Sequence, residues 1–319
     1  MVSEYGRRGG ATSEAQRARA VTAPATLRGA QDALARCDWE RARALARAAG
    51  PDDAPADPEG EAARLEVIGE AAWWLGDIEE AIEARQQAYR LHDDQGRHRR
   101  AGANAVLLYE HHGQRARGAI GSAWLQRARR ALADDPDCEE HGALLLREAE
   151  LAHGSGALDE AEGQARVALA LARSLRSDNL EAEALQTIGR VRIEQGDIRG
   201  GLAHLDEAML LAVEGRLGPY STGKVYCSLI GACEDVGDLR RAAEWTEATT
   251  RWAQRHPLAI FPGICRIHHA VVLDRRGALV HAEAELAQAC DELARSHLAN
   301  AAGSATSRAR RRRSPASRS

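Results

Sequence analysis

Three short stretches of this chain carry residue types that could do chemistry, and each fails on spacing. Gly218-Pro219-Tyr220-Ser221-Thr222-Gly223-Lys224 comes within one residue of a phosphate-binding loop. Such a loop needs a buried strand before it and a hydroxyl directly after the lysine to ligate magnesium. Val225 stands in that place, and no strand-like run precedes Gly218, so the stretch reads as an inter-repeat loop leading into Val225–Ile230. Cys265-x-x-His268-His269 and Cys138-x-x-His141 offer metal-ligand types. A structural zinc site takes four ligands, and no second half stands at matching spacing. His269 reads instead as a core position of a helix pair, and His111-His112 as a helix C-terminus that favours positive charge. The acidic run Asp134, Asp135, Asp137, Glu139 and Glu140 lacks calcium-loop spacing. Asp137, with Glu140 three residues on, reads as a helix cap. With no nucleophile elbow and no zincin helix, the residues point to no enzyme, and no cofactor or metal is expected.

The elements that must carry these residues follow from a repeat. Small residues recur at Ala42, Ala81, Gly121, Ala161, Gly201, Ala242 and Ala282, at intervals of 39 to 41. Seven residues beyond each lies Ala49, Ala88, Ala128, Ala168, Ala208, Thr249 or Ala289. Turn residues precede them: Cys37, Gly76, Gly113, Gly156, Gly196, Gly237 and Gly277. Two antiparallel helices joined by a tight turn need a residue that accepts positive φ, hence glycine. Where the helices cross, only Ala or Gly lets the backbones approach. An apolar residue two after the turn (Trp39, Ile78, Leu158, Ile198, Leu239, Leu279) plugs the base of each hairpin. The third unit departs from this: Arg115 takes the plug position and Gly113 lies eight residues before Gly121, which predicts a turn three residues longer.

Composition agrees with helices packed on small side chains. Hydrophobic residues make up 44% of the 319 but aromatics only 4%, with one Phe, so Ala and Leu must build the core. No period-two run suggests a strand. Lys224 is the only lysine. Six scattered cysteines, no secretory h-region and no apolar run long enough for a bilayer predict free thiols in a cytoplasmic protein.

The offsets resemble the tetratricopeptide repeat over roughly residues 26–295, at forty residues per unit here against about 34 in that family. The resemblance implies an all-α, superhelical solenoid of about seven helix-turn-helix units. Ala71–Asp77, Ala123–Arg130, Val225–Ile230 and Phe261–Arg266 resemble the helical-repeat region of actinobacterial LuxR-type transcriptional regulators. Those regulators place a DNA-binding helix-turn-helix after their repeats, and nothing after Ala282 has that pattern. The resemblance therefore implies the sensing, partner-binding part of a regulator and a protein-interaction scaffold. In such repeats the first helix of each pair lines a concave groove. Its positions here are Glu66, Glu70, Trp73, Glu110, Glu150, His153 and Arg190, with Trp73 as aromatic anchor and an acidic lean suited to a basic peptide.

The expected domains are a disordered leader (1–21), the repeat domain (22–298) and a disordered Arg-rich tail (299–319). From Gly303 onward there are six arginines and no acid, which leaves a formal −10 on residues 1–302. The tail offers the last pair no cap, so truncation of a longer chain or self-association through that pair is expected. The alternative is a stand-alone adaptor whose tail contacts nucleic acid or membrane.

Overall fold

The structure is a computed structural model in which residues 27–49, 58–255 and 261–294 are described. The expected leader and tail lie outside those residues. All described elements are helices. They are α1 (residues 27–35), α2 (Trp39–Ala48), α3 (Pro58–Trp74), α4 (Ile78–Asp94), α5 (His98–Gln114), α6 (Gly118–Ala131) and α7 (Glu139–Gly154). They continue as α8 (Leu158–Leu175), α9 (Asp178–Glu194), α10 (Ile198–Val213), α11 (Pro219–Val236), α12 (Leu239–Arg255), α13 (Phe261–Arg275) and α14 (Leu279–Ala294). The seven pairs form a tetratricopeptide-like helical repeat. The chain divides into two compact units, Met1–Asn104 and Ala105–Ser319, with the boundary inside α5.

One backbone device closes every hairpin. The residue after the turn sends its N–H back to a carbonyl five residues earlier, as in Asp77 N to Ala72 O (2.8 Å), Asp197 N to Arg192 O (2.9 Å) and Asp238 N to Cys233 O (2.8 Å). The residue before it takes positive φ: 85° at Gly76, 82° at Gly156 and 93° at Gly196. The aspartate that follows several of these turns then caps the second helix, Asp77 accepting from Glu80 N and Asp197 from Gly200 N.

The third turn corrects the sequence reading. It keeps the ordinary length, with Ala116 at φ 56° and Arg117 N bonded to His112 O at 2.8 Å. Gly113 lies inside α5, and the position two after the turn is Gly118, not Arg115. Alanine accepts the left-handed conformation at modest cost when the surrounding hydrogen bonds demand it, so a search for glycine alone misplaces this turn.

In the first unit the core is aromatic. Trp39 stacks on Trp74 with ring centroids 4.8 Å apart, and Trp73 meets Trp74 edge-on at 4.9 Å. In the second unit Ala, Leu and Ile make up most of the core, Tyr226 packs with Trp245 and Trp252, and backbone approach sets the packing of α9 on α10. A Cβ added at Gly189 would lie 2.8 Å from the Gly201 carbonyl oxygen, and one at Gly201 only 2.5 Å from that of Gly189. The expected small-against-small crossing is therefore real here. The plug positions vary more than expected: Ile78 is buried, whereas Ile198 and Leu279 are about half exposed.

Three local readings also change. Pro219 opens α11 behind Gly218, so the phosphate-loop-like stretch is the helix's first turns and not a loop. Cys138, not Asp137, is the N-cap of α7; its thiol donates to the Asp135 carbonyl at 3.2 Å, and no side chain caps the helix. His269 is exposed beside Glu285, because the core position belongs to its neighbour Ala270. Cys37, Cys138, Cys227, Cys233 and Cys290 are free thiols. Among the described residues no helix is long and apolar enough to cross a membrane, and no group of His, Cys, Asp or Glu could hold a metal ion.

Candidate ligand cavity beside Gly118

The missing plug of the third pair has a consequence in the second unit. Where the next pair carries Leu158 against Ala152, Ala161 and Val191, the third carries Gly118, at which an added Cβ would meet nothing within 4 Å. Across the same hairpin, Tyr109 stands where five of the other units have Ala or Gly, and a Cβ added at Gly121 would lie 3.2 Å from the Tyr109 carbonyl oxygen. A cavity of about 560 Å³ opens there, within the range of roughly 300–1,000 Å³ usual for ligand sites. Its wall comes from α5 (Tyr109, Glu110, Gly113, Gln114), α6 (Gly118, Gly121, Ser122), α7 (Arg147, Glu150, Leu151) and α11 (Tyr220, Lys224).

At its base lies a charged network. The buried Arg147 guanidinium reaches three carboxylates: Glu110, Glu150 at 3.1 Å and Glu183 at 2.9 Å. Lys224 Nζ lies 3.1 Å from Glu183, 3.5 Å from Glu150 and 5.5 Å from the centre of the Tyr220 ring. The Ser221 hydroxyl donates to Glu183 at 3.3 Å. Burial opposes ionisation of Glu183, but Lys224 and Arg147 outweigh it and hold this carboxyl down to about 2. For Glu110 the balance reverses: burial pushes its carboxyl up, against the pull of Arg147 and Lys224. Burial also pushes the Tyr220 hydroxyl well up. Burial works against the charge on Lys224 and Arg147, but the surrounding carboxylates raise both. Burying several charges is tolerated only because each has partners at hydrogen-bond range.

The groove residues expected from sequence fall into separate places. Glu110 and Glu150 come together at Arg147. His153 Nε2 lies 2.7 Å from Glu194, and Arg190 donates to Asp235 at 2.9 Å. In the first unit Glu66 accepts from Asn104 and bonds His92, both at 2.9 Å, while Glu70 accepts from Arg85 at 2.7 Å and from Trp74 at 3.0 Å. Trp73 is buried against Trp74, so its ring belongs to the packing of that unit and not to an open surface. The acidic lean is also reduced at the cavity, where Arg147 and Lys224 interleave with the carboxylates. Sequence reasoning missed Arg147, Glu183, Tyr220 and Lys224. For the charged ones the signal was opposite charge about one repeat apart: Glu110 to Arg147 spans 37 residues, Arg147 to Glu183 spans 36 and Glu183 to Lys224 spans 41.

No protein-family model matches the chain, and no curated protein sequence does. Solved structures do match. The apo form of RapI superposes with a TM-score of 0.65 at 9% identity, over 86% of this chain and 98% of that one. The Rap conjugation gene regulator of the plasmid pLS20, in complex with the Phr* peptide, gives 0.65 at 11% identity, over 92% and 79%. NprR in complex with its cognate peptide NprX gives 0.61 at 12% identity, over 83% and 78%. At such identities the likeness is one of fold.

Proposed function

We propose that the chain is a protein-interaction scaffold that binds a peptide in the cavity beside Gly118. In this reading it is the sensing part of a regulator of the LuxR-like kind, as its sequence phrases suggest. The observation that carries the proposal is the cavity itself. It opens where the repeat loses its plug, and charged and aromatic groups line it. Two of the solved structures that share the fold hold peptides, Phr* and NprX, which supports a peptide as the ligand class. Tyr109, Tyr220 and Leu151 supply apolar contact, while Glu110 and Glu150 favour a basic residue.

The test is fluorescence anisotropy with labelled random hexapeptide pools, each with one position fixed as Arg, Lys, Glu or Leu, against the full chain and Gly118→Leu. Leucine at 118 puts a side chain at the vacant plug position and narrows the cavity, and an added Cβ there meets nothing within 4 Å. The Arg and Lys pools should bind the parent best and lose at least about tenfold (1.4 kcal/mol) in the variant, with the helical circular dichroism signal retained. Equal binding by both proteins would move the site elsewhere. Failure of every pool would end the peptide reading.

A further inference from the structure

We infer that the cavity takes up a cationic group of its ligand in exchange for a proton held on Glu110, so that binding releases a proton and strengthens as pH rises. The inference rests on the peptide reading above and adds a regulatory consequence to it. Three carboxylates, Glu110 on α5, Glu150 on α7 and Glu183 on α9, face two cations, Arg147 on α7 and Lys224 on α11. Fully ionised, the cluster carries one surplus negative charge in a largely buried place, where like charges disfavour one another's ionisation.

Geometry decides where a compensating proton sits. Glu183 receives Arg147, Lys224 and the Ser221 hydroxyl, so its ionised form has the most donors. Glu150 is exposed enough for water to share its charge. Glu110 is mostly buried; Arg147 favours its ionised form, but burial outweighs that pull and pushes its carboxyl up, while Lys224 and the Ser221 hydroxyl donate to Glu183 instead. Tyr109 on its own helix and Tyr220 on α11, which also line the cavity, are both pushed up by burial and stay neutral. The facing part of α6, Gly118, Gly121 and Ser122, brings no charge. An ammonium or guanidinium placed between Glu110 and Glu150 supplies the missing positive charge. The Glu110 O–H bond then breaks, the proton passes to buffer, and the carboxylate pairs with the ligand cation.

The experiment follows glutamate side-chain carboxyls by carbon-13 NMR in the full chain, with Glu110→Gln assigning the resonance. The probes are acetyl-Ala-Arg-Ala-amide, its Lys counterpart and its norleucine counterpart. Without probe, Glu110 should titrate above the ordinary glutamate range. The Arg or Lys probe should move that titration to lower pH, and norleucine should leave it in place. Affinity for the cationic probes should fall about tenfold per pH unit below the Glu110 midpoint and level off above it. Glu110→Gln should flatten this dependence while the protein stays folded. Should the cationic probes bind in the cavity, as judged by loss in Gly118→Leu, yet leave the Glu110 titration unmoved, proton exchange is wrong and the peptide reading stands. Absence of binding by these probes and by the hexapeptide pools would remove both.

Discussion

At the residue scale, two positions show how far local chemistry is interchangeable. Asp77 and Ala157 occupy the same N-cap place with nearly the same backbone, φ −89° and ψ 73° against φ −80° and ψ 66°. Only the aspartate accepts a bond from the helix. Ala157→Asp should therefore let a carboxylate accept from Glu160 N and raise stability by about 1 kcal/mol, read as a higher urea midpoint at unchanged slope. Ala116 offers a second case. Its φ of 56° costs an alanine roughly 1 kcal/mol relative to glycine, so Ala116→Gly should stabilise and Ala116→Val destabilise in the same denaturation series. These residues also show what the sequence hid. A glycine search finds Gly76 and Gly196 but not Ala116, because a fixed pattern of backbone hydrogen bonds, and not side-chain type, imposes the conformation. With the turn moved to Ala116, Glu110 falls six residues before its turn. Glu70, Glu150 and Arg190 share that register, and Glu183 and Lys224 lie two helical turns earlier on the same face of their own helices.

At the scale of elements, the hairpin is the unit of both stability and site formation. Helices α9 and α10 approach through Gly189 and Gly201, where each would-be Cβ runs into the other's carbonyl. Gly189→Ala should force the pair apart and cost about 1–3 kcal/mol despite alanine's better helix propensity. Gly163→Ala, on an open face of α8, should gain up to about 1 kcal/mol. Opposite signs for one chemical change would separate crossing from propensity; equal signs would refute the packing argument. This level was the most legible one, since spacings of small residues report directly on helix crossings. The cavity was less so. It arises from an absence, the missing plug at Gly118, and it became visible only once the turn register was corrected. Trp73 misled for a related reason: its offset marks a helix face, but whether that face is open depends on neighbours such as Trp74 that offset does not encode.

At the scale of the whole molecule, the charged network ties the second unit's stability to pH in two opposing ways. Glu183 is held at about 2, below the ordinary value of 4.5. The unfolded chain therefore binds its proton first, and the stability that this carboxylate contributes is complete above about 4.5 and is lost as pH falls toward 2. Glu110 is raised, so the folded form holds its proton longer than the unfolded chain. Its protonated state favours folding, and that contribution fades as pH climbs through the raised value. The sum predicts a stability maximum near the ordinary glutamate value of 4.5, with an acid limb set by Glu183 and a decline above it set by Glu110. Urea unfolding across pH checks this through variants that act on one limb each. Glu110→Gln should remove the upper decline and keep the acid limb, whereas Glu183→Gln should weaken the acid limb and lower the maximum by leaving Lys224 and Arg147 short of a partner. Parallel loss on both limbs from either variant would show that the carboxylates act as one packing unit. The assignment of the proton to Glu110, on which linked binding depends, would then fail.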